Sequence, residues 1–109
     1  MNEGTVISGT HRPQDLLPTF LIEVRTWITR NNADLWERYQ RISRDVPHGD
    51  LLWPDSGVIV DDHPWWQSEE CTEVIWDLMA ILDDIAAPHG LYFGCHMGDG
   101  SDFGFWKVI

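Results

Sequence analysis

The residues best suited to chemistry lie close to the C-terminal end, where His96, Asp99 and Asp102 follow one another within a short glycine-rich stretch. An imidazole and two carboxylates at that spacing can bind a metal, polarise a water, or supply a base oriented by a carboxylate. The competing reading is structural: His96 and Asp102 form a cross-strand pair that pins a hairpin register, and Asp99 makes the turn. Asp61-Asp62-His63, just before Pro64, offers the same ligand types, against a solvated loop that leads into a helix cap. The two cysteines, Cys71 and Cys95, have no CxxC spacing. They read as two buried thiols in a reducing compartment rather than as a zinc site or a disulfide scaffold. There is no glycine-rich phosphate loop, GxSxG, HExxH or EF-hand pattern, so no residue is assigned as catalytic and no cofactor or metal is implied.

Charge is the stronger signal. Residues 1–44 hold six arginines and five acids, whereas from Asp45 to Trp106 there are thirteen acids and not one Lys or Arg. The formal net charge is −11, and most of the surface would repel nucleic-acid phosphates, which disfavours direct DNA or RNA binding. A basic partner would be attracted instead. The 43% hydrophobic and 12% aromatic content is too high for a disordered acidic chain. Seven tryptophans stand out, because each indole N–H needs a partner and some are therefore expected at a surface. No apolar stretch is long enough to span a membrane and the first residues lack a signal-peptide pattern, so a cytoplasmic protein is expected.

These residues need elements to position them. A chain of 109 residues makes one α+β domain, expected over 15–109 behind a flexible lead of residues 1–14. Phe20, Leu21, Val24, Trp27 and Ile28 recur at helical spacing, with Pro18 suited to a first helical position and Asn31 to the end. Asn32 caps a second helix, Ala33 to Arg44, whose apolar stripe is Leu35, Trp36, Tyr39 and Ile42 and whose Arg38, Arg41 and Arg44 face outward. Residues 46–64 are rich in turn formers around a short β-branched run, Val58-Ile59-Val60, and make a long loop of the kind that often carries contact residues.

A third helix is capped by Ser68 and stopped by Pro88 and Gly90, with Cys71, Val74, Ile75, Leu78, Leu82 and Ile85 facing inward. Its outer face repeats acid at i,i+4 through Glu69, Glu73 and Asp77, each pair costing ~0.2–0.5 kcal/mol. Asp83 and Asp84 sit at the negative end of the helix dipole. Either the arginines of the first two helices neutralise this charge, or a basic partner does. The remainder reads as a hairpin around Gly98-Asp99-Gly100. Met97 would face Ser101, pairs would run Cys95–Phe103, Phe93–Phe105 and Leu91–Lys107, and Phe93, Cys95, Phe103 and Phe105 would form the core face. The other face would place His96 beside Asp102, Gly94 beside Gly104 and Tyr92 beside Trp106. Two facing glycines imply close approach by a helix, a backbone or a ligand. The fold expected is thus three helices packed on a small antiparallel sheet that contains the C-terminal hairpin.

The stretch Tyr92-Phe93-Gly94-Cys95-His96-Met97-Gly98-Asp99-Gly100-Ser101-Asp102-Phe103-Gly104-Phe105-Trp106 resembles a signature, roughly YFGxHxGDGxDFGFW, of small proteins of bacteriophages and mobile elements. The resemblance covers about fifteen residues and carries no catalytic assignment. It implies a phage or plasmid context, in which small acidic proteins often disable host defences.

Together these features predict a non-enzymatic, anti-defence (anti-CRISPR-like) inhibitor. It would act in the host cytoplasm by occupying a basic, nucleic-acid-binding surface on a host protein such as a CRISPR effector. The contact residues expected are Glu69, Glu73, Trp76, Asp77, Asp83 and Asp84 of the third helix with Trp53, Trp65 and Trp66 of the loop before it. Two other classes stay open: a small metal-dependent or His-based enzyme centred on His96 and Asp102, and a homodimer in which tryptophans and opposite charge halves pair.

Overall fold

The computed structural model describes residues 3–28, 33–47, 62–96 and 98–108. Three α-helices and a three-stranded antiparallel sheet are formed by these residues, an α+β architecture with the C-terminal hairpin inside the sheet. The elements in chain order are β1 (Gly4–Ile7), α1 (Pro13–Trp27), α2 (Ala33–Arg44), a 3-10 turn (Pro64–Gln67), α3 (Glu69–Ala86), a second 3-10 turn (Ala87–His89), β2 (Leu91–His96) and β3 (Asp99–Lys107).

Helix α3 forms as its sequence dictates. The Ser68 hydroxyl accepts the Cys71 N–H at 3.1 Å, and Gly90 ends the following turn with φ 72°, a left-handed conformation that glycine adopts without penalty. All six residues of the expected stripe are buried, joined by Ile81 and Ala86. Phe20 of α1 lies edge-on to Phe93 and Phe103, with ring centroids 5.3 and 5.7 Å apart. α1 and α3 thus cover one face of the sheet, and α2 packs on α3. Phe20, Leu17, Leu78, Ile81 and Leu82 are fully buried, and each such side chain contributes roughly 1.5–3 kcal/mol of hydrophobic stabilisation.

Three expectations are corrected. Residues 1–14 were expected to be a flexible lead, but Gly4–Ile7 is a strand paired with β3, and β3 is therefore the central strand. The four-residue strand is too short to show a periodicity, and its partner lies about a hundred positions away. α1 starts at Pro13, not Pro18. Pro13 takes the first-turn place, and the Thr10 hydroxyl organises the entry by accepting the Arg12 N–H at 3.0 Å and donating to Asp15 Oδ2 at 2.7 Å. Pro18 then lies inside the helix, where it removes one ladder hydrogen bond.

The third correction concerns the hairpin tip. Leu91, Tyr92, Phe93, Gly94 and Cys95 pair with Lys107, Trp106, Phe105, Gly104 and Phe103 as the glycine-centred register predicts. Beyond Cys95 the register slips, and His96 faces Asp99 instead of Asp102. Gly100, Ser101 and Asp102 form a bulge on β3, held from the other side by the Gly9 N–H bonding to the Ser101 carbonyl at 3.1 Å. Burial fades along β2 toward His96, and Cys95 is exposed rather than part of the core.

The expected approach to the facing glycines is made by the protein itself. A Cβ at Gly104 would lie 2.3 Å from the Gly4 carbonyl oxygen and 2.9 Å from Thr5 Cα, so β1 sits where only glycine admits it. On the other strand the Gly94 carbonyl accepts the Trp106 indole N–H at 3.0 Å, and a Cβ at Gly94 would meet only the Tyr92 ring, at 3.9 Å.

Candidate functional site

The carboxylates of α3 divide into two groups. Near its C-terminal end, Asp83 Oδ1 accepts the Phe93 N–H at 3.0 Å, and Asp84 Oδ2 lies 2.6 Å from Arg38 Nη1 of α2. Both acids oppose the helix dipole, and both are compensated by groups brought from other elements. These two residues of the expected contact surface remain exposed but are bonded to other elements of the fold.

Toward the start of α3 the picture reverses. Glu69, Glu70, Glu73 and Asp77 are exposed and have no ion pair or hydrogen bond among the described residues. Glu69 and Glu70 gain from the positive helix terminus, but Glu73 and Asp77 lie further along and repel their neighbours. Glu70, Glu73 and Asp77 line a depression of about 300 Å³ together with Val74 and with Asp45, which follows α2. Glu70 and Asp45 are not among the contact residues expected from the sequence, and only the packing of α2 on α3 brings Asp45, at the end of α2, to the start of α3. Trp76, one turn from Glu73 on the same outer face, is 66% exposed. An exposed indole rimmed by acids fits a surface that takes a cationic partner, since arginine and lysine bind both carboxylates and aromatic faces.

The loop tryptophans separate. Trp66 is buried in the core and Trp65 packs edge-on to it at 5.6 Å. The Trp65 indole nitrogen is buried with no hydrogen-bond partner among the described residues. Trp66 is therefore a packing residue, and Trp65 is half-buried against the core rather than presented outward. Trp53, Asp61 and the run Val58-Ile59-Val60 lie outside the described residues. His63 caps the 3-10 turn, its Nδ1 accepting the Trp65 N–H at 3.1 Å.

At the hairpin tip the register slip puts Asp99 rather than Asp102 opposite His96. His96 Nδ1 accepts the Gly98 N–H at 3.0 Å, and the imidazole stands edge-on to Trp106 at 4.6 Å. Asp99 opens β3 opposite His96, while Asp102 lies in the bulge with Oδ1 buried and lacking a hydrogen-bond partner among the described residues. Among those residues no group of three His, Cys, Asp or Glu is arranged to hold a metal ion. Cys71 is buried at the start of α3 and burial pushes its thiol up to about 11, so it is neutral at physiological pH. No described helix is long and apolar enough to cross a membrane.

No protein-family profile matches the chain, and no curated protein and no solved structure shows significant similarity to it.

Proposed function

We propose that this chain is a non-enzymatic binding protein that uses the first half of α3 to occupy a basic, nucleic-acid-binding surface on another protein. The observation that carries this reading is the exposed set Glu69, Glu70, Glu73 and Asp77, unneutralised among the described residues, next to the exposed Trp76. A self-neutralising fold would have paired these acids as it pairs Asp84 with Arg38. The surface proposed is smaller than the sequence suggested, because Asp83 and Asp84, though exposed, are already bonded to β2 and α2, and Trp66 is buried in the core. The resemblance of the hairpin to proteins of phages and mobile elements adds the biological setting: an anti-defence, anti-CRISPR-like inhibitor acting on a host effector.

The test is binding to purified CRISPR effectors across a salt series, with the nucleic acid as competitor. Affinity is expected to fall steeply with salt, and the triple reversal Glu69→Lys, Glu73→Lys, Asp77→Lys should weaken it by about a hundredfold or more. A tight complex that ignores both salt and the triple reversal would refute the proposal.

A further inference from the structure

The arginines of α1 and α2 are not equally engaged. Arg38 is held by Asp84, Arg41 by Glu37, and Arg12 lies beside Asp15. Arg25 has no ion pair or hydrogen bond among the described residues, in a chain whose formal charge is −11. It reaches instead into an open cleft of about 550 Å³ between α1 and α2, lined by Arg25, Trp36, Tyr39, Gln40, Ser43 and Arg44.

The five α2 residues stand at i, i+3, i+4, i+7 and i+8, which places them on one helix face. Trp36 stacks on Tyr39 with ring centroids 5.7 Å apart and planes 30° from parallel, yet is still 43% exposed. The Tyr39 hydroxyl is hydrogen-bonded to Ser43 and lies in the field of Arg25. Arg44 Nε donates to the Gln40 carbonyl at 3.3 Å, which lays the guanidinium along the helix with no carboxylate on it among the described residues. The cleft thus combines two guanidinium groups, a supported indole platform, and the polar side chains of Gln40 and Ser43.

We propose that this cleft binds a small planar anion of the mononucleotide class, with its ring stacked on Trp36 and its phosphate taken by Arg25 and Arg44. Guanidinium groups bind phosphate through several directed N–H donors, and base-on-indole stacking tolerates any base. A long polyanion is disfavoured, because beyond this cleft the surface is dominated by carboxylates that repel a phosphate chain. The site is separate from the acidic face of α3 and does not depend on what that face binds.

Calorimetric titration of the full chain with AMP, UMP, adenosine, inorganic phosphate and a single-stranded oligonucleotide tests the assignment. Both mononucleotides are expected to bind about tenfold or more tightly than adenosine or phosphate alone, since ring and anion act together. Arg25→Gln should weaken AMP by about tenfold with an unchanged unfolding midpoint, and Trp36→Leu by a similar factor. Lys107→Gln should leave it unaltered. Phosphate alone matching AMP, an oligonucleotide binding more tightly than either mononucleotide, no AMP binding at millimolar concentration, or an Arg25→Gln variant with full affinity would each overturn the proposal. None of these outcomes touches the salt-dependent protein binding proposed above, so the two ideas fail separately.

Discussion

Asp83 and Asp84 close α3, and Glu69, Glu73 and Asp77 stand nearer its start, so the same chemical group occupies two parts of one helix. At the closing end each carboxylate has a partner from another element, the β2 backbone for one and the α2 guanidinium for the other. At the opening end none does among the described residues. The difference teaches that a run of acids is not a single feature. Where the helix meets the sheet and α2, acids become struts, and where it meets solvent they remain available for binding.

The largest effect expected concerns Cys71, which lies beneath the acidic half. If that half is held by packing without a partner, a thiol reagent should label exposed Cys95 about a hundredfold or more faster than Cys71, the ratio a local opening costing ~3 kcal/mol gives. Equal rates would mean that the opening end of α3 is loose until bound. The same thiol sets a pH dependence. Its folded value near 11 exceeds its ordinary 9.0, so above that ordinary value the unfolded chain releases a proton that the folded chain keeps. Stability measured by denaturant titration should therefore be constant for this group below about pH 9 and decline as pH rises toward about 11.

Next comes Asp83→Ala, which strips the Phe93 N–H of its acceptor and should cost ~1–2 kcal/mol in urea unfolding. A neutral result would erase the distinction between strut and surface. A smaller effect is expected from the Arg38 and Asp84 pair, whose side chains are 40% and 54% exposed. A double-mutant cycle with Arg38→Ala and Asp84→Ala should return ~0.2–1 kcal/mol of coupling that shrinks as salt is added. Smallest of all, Asp77→Asn should raise stability by ~0.2–0.5 kcal/mol, because it removes one like-charge i,i+4 pair, that with Glu73. A loss instead would show that Asp77 is structurally engaged.

Much of this was legible in the residue order. Ser68, the apolar stripe of α3 and Gly90 are local signals, and each specifies its own stretch of backbone within a turn or two. The phenylalanine alternation in the hairpin likewise set five of its pairs, because a slip of one position would turn Phe93, Phe103 and Phe105 to solvent. The tip escaped that logic. Among the described side chains from His96 to Asp102 none is buried to enforce a register, and the bonds from the Gly98 N–H to His96 and from the Gly9 N–H to the Ser101 carbonyl accompany the bulge. The candidate site was half legible for a related reason. Sequence marks which residues carry charge, but only the packing of α2 and β2 against α3 shows which charges are already answered.

The sequence by itself determined the three helices, the hairpin, and an excess of acid over the later two-thirds of the chain, since helix caps, apolar periodicity and charge depend on near neighbours. Only the tertiary structure decided that residues near the start supply a strand to β3, that Asp83 and Asp84 are consumed, and that Arg25 joins one face of α2 in a basic, aromatic cleft. Those outcomes depend on contacts between segments far apart in the chain, and no local pattern encodes which distant group will arrive.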